Sequence, residues 1–374
     1  MKLNVIETLC ILMAFLLIGY FIQNKVSILK RYYVPAPLIG GLLLTVILSI
    51  INSYSSITLN FSALPIFVAG FFVSIGLRVN IDFLKKGFKW QMIFLGIVII
   101  TAFLQNGVSL LIGKIFGKTA AEIVITGSLG LMGDHTVLST IPEFIGKGKD
   151  LVPQLTAFSV LALYIATLAG GILFSLFKKN TDLSTNVKIP PAELNPMEFL
   201  KILLIFVLEI SIGLIPGKLG FGKFINPAGG GFLVGLILRA VFDVSKVYEV
   251  KLPSVNLIGN YSLSMLLVTV FSMFDIRIIS KISMYNVIIL IIQMAWLMLA
   301  AYFVVYKIFK KNALASYVAS GLIGFSIGMP ASTMSNIQCF SENEGAIPMV
   351  LFVVPPVGAW MITVINMYLI PLFL

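Results

Sequence analysis

Two polar, glycine-bearing stretches interrupt a chain that is otherwise almost continuously apolar: G-S-L-G-L-M-G-D-H-T-V-L-S-T, from Gly127 to Thr140, and G-F-S-I-G-M-P-A-S-T-M-S-N, from Gly324 to Asn336. Backbone that leaves a regular helix at membrane depth persists only where protein or a water-filled cavity covers it. A pair of such segments, in corresponding halves of a chain, is typical of the binding site of a secondary transporter. The two stretches therefore predict both the fold and the position of the functional site.

The composition restricts the class of protein. Of 374 residues, 59% are hydrophobic and 11% are charged, whereas soluble domains carry about 25% charge. The net charge of +11 comes from short basic clusters between apolar segments, so a lipid bilayer, and no nucleic acid, is the expected partner. Cys10 and Cys339 are the only cysteines and suggest neither a disulfide framework nor a metal site. The first apolar segment lacks a cleavage site and is interpreted as a retained helix.

Apolar segments of about 20 residues, long enough to cross a bilayer as helices, occur five times in each half of the chain. The predicted spans are residues 5–24, 35–53, 61–78, 90–115, 153–177, 198–216, 226–242, 254–275, 283–308 and 346–371. Residues 120–143 and 314–341, between the fourth and fifth span of each half, are interpreted as re-entrant hairpins; full crossings are the alternative. The predicted fold is all-α, with two repeats of five spans and one hairpin at residues 1–180 and 198–374, joined by a cytoplasmic linker at 181–197.

The basic residues predict how this arrangement lies in the membrane. With both termini outside, 17 of the 26 Lys and Arg residues fall in cytoplasmic segments and 9 in outer segments, as basic residues in short loops prefer. An odd number of spans in each half places the second half upside down relative to the first, which gives inverted repeats. The openings V-P-A-P-L-I-G-G-L from Val34 and N-P-A-G-G-G-F-L-V-G from Asn226 repeat faintly, and close helix packing explains their glycines.

The second polar stretch has the chemistry of a ligand site. Half-helix ends near the midplane offer N–H groups to carboxylates, and exposed carbonyls with hydroxyls coordinate Na⁺. The residues that supply hydroxyls, an amide and bare backbone here are Ser326, Gly328, Ser332, Thr333, Ser335 and Asn336. The alternative is that the hydroxyls cap or back-bond helices in lipid.

Asp134 is the sharpest individual signal in the first stretch, where it lies among Gly133, His135 and Thr136. An ionisable side chain at membrane depth is costly and indicates function; this carboxylate could hold a substrate ammonium, Na⁺ or a proton. An aqueous hairpin tip, with Asp134 and His135 capping a helix, is the alternative. One imidazole beside one carboxylate does not make a metal site. Candidate Na⁺ ligands are Asp134, Ser332, Ser335 and Asn336.

Other polar residues lie within predicted spans: Gln105 and Asn106 in the fourth, Glu209 in the sixth, Gln293 in the ninth, and Thr363 and Asn366 in the last. The amides of the fourth and ninth spans are predicted to support the hairpins. Thr363 and Asn366 are predicted to face the second hairpin and to contribute to the site. Glu209 faces either a neighbouring helix or a cavity.

The run from Gly324 to Asn366 resembles the second hairpin and last helix of the bacterial sodium:glutamate symporter family. The V-P-A-P-L-I-G-G opening, F-F-V-S-I-G-L at Phe71 to Leu77 followed by a basic loop, and Gln105-Asn106 support the resemblance, which runs nearly end to end. It implies ten spans in two inverted five-helix domains with re-entrant loops, an outline shared with the 2-hydroxycarboxylate (citrate) transporters. It also implies a homodimer, elevator-like alternating access, the bacterial inner membrane, and glutamate with Na⁺ as coupling ion and no cofactor.

Two positions depart from the family pattern. The family's first hairpin usually reads Gly-Gly-X-Gly followed by Thr, whereas this chain has Met132, Gly133, Asp134, His135 and Thr136. The last helix has Thr363 at a position that is commonly aspartate, although Asn366 matches. Substrate or ion specificity is expected to differ from that of relatives at these positions.

No P-loop, G-x-S-x-G or H-E-x-x-H occurs, so an ATP-driven pump or an enzyme of those classes is not predicted. The predicted function is Na⁺-coupled import of glutamate or a similar small carboxylate. An H⁺-coupled or Na⁺-coupled carrier of another amino acid or dicarboxylate is one alternative. An ion channel is the other, since fold alone does not determine function.

Overall fold

The computed structural model describes residues 2–132, 152–183 and 195–373. Within these ranges the chain is helical, and the β pairing there is one isolated bridge between Lys2 and Thr58. Nine of the described helices are long and apolar enough to cross a membrane. The prediction of an all-α polytopic membrane protein is confirmed at this level.

The helices follow the order that the apolar segments predict. The first half contains α1 (Val5–Lys25), α2 (Ser27–Arg31), α3 (Ala36–Ile51), α4 (Leu64–Arg78), α5 (Ile81–Ile115), α6 (Ala120–Ile125), α7 (Ser128–Met132) and α8 (Val152–Lys178). The second half contains α9 (Pro196–Gly213), α10 (Ile215–Lys218), α11 (Pro227–Ser245), α12 (Leu252–Ser272), a 3₁₀ turn (Ile276–Lys281), α13 (Met284–Ala300), α14 (Ala313–Glu344), α15 (Pro348–Pro356) and α16 (Ile362–Leu369). Each of the ten predicted spans coincides with one helix or one continuous helical run.

The bounds of three helices differ from those of the predicted spans. Helix α5 begins at Ile81 and not near residue 90, because the Asn80 side chain caps it by accepting a hydrogen bond from the Phe83 amide at 2.8 Å. Its first turns therefore carry basic residues that the hydropathy-based prediction had left outside the span.

Helices α3 and α4 have 16 and 15 residues. At 1.5 Å per residue they are about 24 and 22 Å long, less than the ~30 Å hydrocarbon core.

The helices form two bundles that interleave the halves of the chain. The first bundle consists of α1, α3 and α4 from the first half packed against α9, α11 and α12 from the second. The second bundle consists of α5 to α8 with α13 to α16. Each half thus contributes three helices to the first bundle, and two helices with one polar stretch to the second.

Glycines set the closest helix contacts of the first bundle. A Cβ on Gly230 would lie 2.0 Å from the carbonyl oxygen of Gly213 in α9, and one on Gly231 would lie 2.5 Å from that of Ala69 in α4. A Cβ on Gly40 would likewise lie 2.3 Å from the carbonyl oxygen of Phe15 in α1. Close packing therefore explains the glycines of both repeated openings, as predicted.

Contacts at the ends of the bundles join segments that were predicted to share one side of the membrane. Glu344, at the end of α14, accepts hydrogen bonds from Tyr33 at 2.6 Å and from Lys178 at 2.5 Å, and all three belong to segments predicted to be cytoplasmic. Burial, and then the bond to Glu344, raise the pKa of Tyr33, so its hydroxyl stays the donor. Ser49 donates to Asp275 at 3.0 Å, and both lie near the predicted outer ends of their spans.

Candidate functional site

The second polar stretch folds back on itself within α14. In a straight helix Tyr317 and Phe340 would lie about 34 Å apart, yet the Tyr317 hydroxyl donates to the Phe340 carbonyl at 3.2 Å. The Thr333 hydroxyl similarly donates to the Gly321 carbonyl at 2.5 Å. These contacts show two antiparallel helical arms, which we call the first arm (residues 313–327) and the second arm (residues 331–344). Thr333 serves to hold the arms together.

The backbone reverses at Gly328, Met329 and Pro330, which we call the tip. Gly328 has φ −118° and ψ 23°, and Met329 has φ 67° and ψ 166°. A positive φ is costly for a side chain such as methionine and occurs mostly where surrounding structure imposes it, often at functional sites. Pro330 cannot donate to the helix ladder and disfavours a helical residue before it, so the sequence itself encodes the reversal.

Helix α8 provides the wall against which the folded segment packs most extensively. The Thr167 hydroxyl donates to Ser332 Oγ at 2.8 Å. A Cβ on Gly328 would lie 2.6 Å from Ala166 Cβ, and one on Gly170 would lie 2.1 Å from Asn336 Nδ2. Small residues of α8 therefore let the tip and the second arm approach its backbone, and Ser332 and Asn336 both face this helix.

Amide side chains of α5 and α13 support the first arm. Gln105 Nε2 donates to the Ser326 carbonyl at 2.6 Å, and Gln293 Nε2 donates to the Gln105 carbonyl at 2.9 Å and to Ser109 Oγ at 3.2 Å. All of these residues are buried. Gln105 therefore contacts the first arm directly, whereas Gln293 bonds to α5 beside Gln105 and supports the arm only through it.

The first polar stretch is connected to the last helix through Ser128. Asn106 Oδ1 accepts from the Ser128 amide at 2.8 Å, Asn106 Nδ2 donates to Ser128 Oγ at 2.9 Å, and Ser128 Oγ donates to Asn366 Oδ1 at 3.2 Å. Asn366 was predicted to face the second stretch, and the hydrogen bond that the structure describes joins it to the first. Thr363 is buried one turn earlier in α16.

Several fully buried polar atoms around the folded segment have no hydrogen-bond partner among the residues that the structure describes. They are Ser320 Oγ, Ser326 Oγ, Ser335 Oγ, both amide atoms of Asn336, Gln105 Oε1 and Asn366 Nδ2. Buried polar atoms are usually hydrogen-bonded, so an unbonded group calls for an explanation such as an ion or water. Hydroxyl and amide oxygens beside a broken helix are suitable ligands for a hard cation.

A cavity of about 240 Å³ lies between the two bundles at the tip. Met329 and Pro330 form one wall, and residues of the first bundle, including Phe72 of α4 and Asn226 before α11, form the other. Its lining is mainly apolar.

The predicted site residues fall into three groups. Ser326, Gly328, Ser332, Thr333, Ser335 and Asn336 lie on the folded segment, and Thr363 and Asn366 lie in α16. Gly133, Asp134, His135 and Thr136 lie outside the described residues. Glu209 is buried in α9, and neither carboxylate oxygen has a partner within the described ranges.

Sequence reasoning missed Thr167, Gly170 and Ser128. For Thr167 and Gly170 the sequence did contain a signal, namely the small residues between Ala166 and Gly171. Small residues in an apolar membrane helix indicate that another backbone approaches it there.

These features define a polytopic helical membrane protein with two bundles and a buried polar fold-back in the second of them. The model of the sodium/glutamate symporter family matches residues 1–175 and 178–346. The sodium/glutamate symporter of Escherichia coli (strain K12) is 29% identical over 394 residues, covering 100% of this chain and 98% of that protein. The sodium/glutamate symporter of Haemophilus influenzae is 24% identical over 383 residues, covering 96% and 94%.

The chain therefore belongs to the sodium/glutamate symporter family, and the resemblance predicted from the sequence is confirmed. The family is one of transporters and not of enzymes.

Proposed function

We propose that this protein is a secondary transporter that imports glutamate or a similar small carboxylate together with Na⁺ across a bacterial inner membrane. Its membership of the family and the names of its relatives support this function. The observation that carries the proposal is the fold-back of α14, which places unbonded hydroxyl and amide groups at a break in helical backbone. In transporters such breaks bind coupling ions and anionic substrates.

Na⁺ binds beside the second arm. Asn336 and Ser335 have no partner within the described ranges, and Ser332 bonds only to Thr167 of α8. Asp134 is the candidate that supplies a formal negative charge. Na⁺ is a transported ion here and not a resident cofactor.

Both polar stretches act as re-entrant hairpins that end within the membrane, and ten helices span it. The two repeats, residues 1–180 and 198–374, are inverted and both termini lie outside. Equal contributions of the two halves to each bundle support this symmetry. By elevator-like movement, the second bundle carries the site along the first, which forms the scaffold of a homodimer.

The test is uptake of labelled glutamate into proteoliposomes with and without an inward Na⁺ gradient. Saturable uptake that requires the Na⁺ gradient, together with counterflow, is expected. Uptake that follows a proton gradient and ignores Na⁺ would overturn the coupling. Conductance that rises linearly with driving force, without counterflow, would indicate a channel.

A further inference from the structure

A second cavity, of about 340 Å³, lies between the bundles beside the second arm and apart from the tip. One wall belongs to the first bundle and carries Arg78, the last residue of α4, with Asn256 and Asn260 of α12. The opposite wall belongs to the second arm and carries Gln338 and Glu342. The cavity therefore joins a cationic wall on one bundle to an acidic wall on the other.

Arg78 is half-buried, and two of its three guanidinium nitrogens are inaccessible to solvent. Its Nε and Nη2 have no hydrogen-bond partner among the described residues. It lies over Gly259 of α12, where a Cβ would come within 2.8 Å of Nη2. The C-terminal end of α4 favours a positive charge, but it does not provide acceptors for the N–H groups of the guanidinium. A buried charge without a partner is costly.

Arg239 shows that this end of the first bundle can pair an arginine internally. Its Nε donates to Asp243 at 2.9 Å and its Nη1 donates to the Leu77 carbonyl at 3.1 Å. Arg78 has no ion pair with any carboxylate in the described part of the chain. The two arginines thus differ in whether the fold provides an anion.

Glu342 offers the complementary charge. Its carboxylate accepts hydrogen bonds from the Tyr20 hydroxyl at 2.9 Å and from Gln338 Nε2 at 2.9 Å. Gln338 Oε1 has no partner among the described residues. No ion pair within the described ranges neutralises Glu342, so its charge is available to a cation in the cavity.

We propose that this cavity is a binding site for a zwitterionic amino acid. Arg78 binds the carboxylate through its paired donors, since a guanidinium fork matches a carboxylate, and Asn256 and Asn260 add amide hydrogen bonds. Glu342 binds the ammonium with Gln338 beside it. The site lies at the end where α14 meets Tyr33 and Lys178, so it holds substrate at the predicted cytoplasmic side, where an importer releases it. The inference rests on the proposed function, because an amino acid substrate is what gives both charges a role.

The experiment measures binding to the purified full-length chain in detergent with Na⁺ present, by calorimetry, using glutamate and glutarate. Glutarate keeps two carboxylates and lacks the ammonium. Arg78→Gln should weaken binding of both compounds at least tenfold, with Arg78→Lys intermediate. Glu342→Gln should weaken glutamate binding and leave glutarate binding unchanged. Arg239→Gln, the matched control, should keep both affinities within twofold.

Unchanged glutamate affinity in a folded Arg78→Gln protein would overturn the proposal, as would the absence of binding by either compound to the unmodified protein. A second measurement covers variants that do not fold. Phenylglyoxal should modify Arg78 in the unmodified protein, as read by mass spectrometry, and glutamate should protect it; a lack of protection would contradict the site. Binding that persists without Na⁺-driven uptake would refute the proposed coupling and support the site, so the two failures are distinguishable.

Discussion

Asn336 combines complete burial with an amide that has no partner within the described ranges. If it ligates Na⁺, Asn336→Ala should raise the Na⁺ concentration for half-maximal uptake about tenfold or more, because bonds to charged groups contribute roughly 1.5–3 kcal/mol. The glutamate KM at saturating Na⁺ should change much less. Uptake measured over a Na⁺ series tests this.

The matched control is Asn343→Ala on the same arm, since the Asn343 amide already donates to the Cys339 carbonyl at 2.8 Å. It should leave the Na⁺ dependence unchanged. Equal shifts in both variants would assign Asn336 a packing role.

Asp134 is the carboxylate that sequence reasoning places nearest to the ions, and it lies outside the described residues. Asp134→Asn should reduce the affinity for Na⁺ or for substrate severely, because it removes a formal charge and keeps the size of the side chain. Insertion into the membrane should be unaffected. Binding titrations with each ligand test the effect, and unchanged dependence on both would return Asp134 to helix capping.

At the scale of single residues, the sequence predicted which residue types surround the site but not which of them contact each other. Ser332 and Asn336 stood out as polar groups in apolar sequence. Their contacts with Thr167 and Gly170 arise because α8 packs along the fold-back, a tertiary relation that no local pattern contains.

At the scale of elements, the separation of the two arms depends on Gly324. A Cβ there would lie 2.8 Å from the Thr333 amide nitrogen and 2.9 Å from its Cα, and backbone atoms cannot move aside cheaply. Gly324→Ala should therefore force the arms apart, lower stability by about 1–3 kcal/mol and reduce uptake strongly. Thermal unfolding and initial uptake rates measure both effects.

Gly107 of α5 is the control, because a Cβ there would meet nothing within 4 Å. Gly107→Ala should be neutral or stabilising, since alanine favours a helix by about 1 kcal/mol over glycine. If Gly324→Ala behaved like Gly107→Ala, the close approach of the arms would be refuted.

Asp275 connects the ends of α3 and α12 on the predicted external side. Hydrogen bonds from the Arg277 side chain, then its backbone amide, and one from Ser49, outweigh partial burial and lower the pKa of Asp275 to about 2. A depressed pKa in the folded state contributes stability above the ordinary value of 3.8, and the contribution is lost as pH falls towards 2. The gap in Tm between the unmodified protein and Asp275→Asn should be constant from pH 7 to about 5 and narrow by pH 3.

Because Asp275 is partly exposed, the gap should be small and should shrink in high salt. A gap that widened on acidification would contradict the assignment. Ser53→Ala, which removes a hydroxyl bonded to the Ser49 carbonyl at 3.0 Å, should show no comparable dependence on pH.

The positions of the helices could be predicted wherever the apolar composition of a segment alone determines that it is helical. Ten apolar segments gave ten helical positions. The reversal at Gly328 to Pro330 falls inside the hairpin predicted at residues 314–341, although the prediction did not assign the turn to these residues. The start of α5 was wrong because a cap at Asn80 extends the helix beyond its apolar part, and hydropathy does not detect caps.

At the scale of the whole molecule, the sequence suggested two consecutive repeats but could not show that they interleave. The first bundle combines α1, α3 and α4 of the first half with α9, α11 and α12 of the second. Glycine-lined faces, such as that of α11, pack closely against helices of the other half. Interleaving makes the interface between the bundles the surface along which movement would occur.

Gln338 and Ser264 cross this interface, with Gln338 Nε2 donating to Ser264 Oγ at 2.8 Å. In a background where Cys10 and Cys339 are replaced by alanine, Gln338→Cys with Ser264→Cys should form a disulfide on oxidation. If the second bundle slides along the first, the bond should abolish uptake, because it fixes one position of the cycle, and reduction should restore the uptake rate that the double variant had before oxidation. Uptake before and after oxidation, with gel analysis of the bond, measures this.

Ser49→Cys with Asp275→Cys provides the control, because these residues join two helices of the same bundle. Oxidation of this pair should leave uptake unchanged, since no relative movement is expected within the scaffold. Inhibition by both bonds would indicate that rigidity in general blocks transport. Inhibition by neither would refute an elevator, because a carrier that works with its bundles locked together must expose its site to the two sides by local motion of the hairpins.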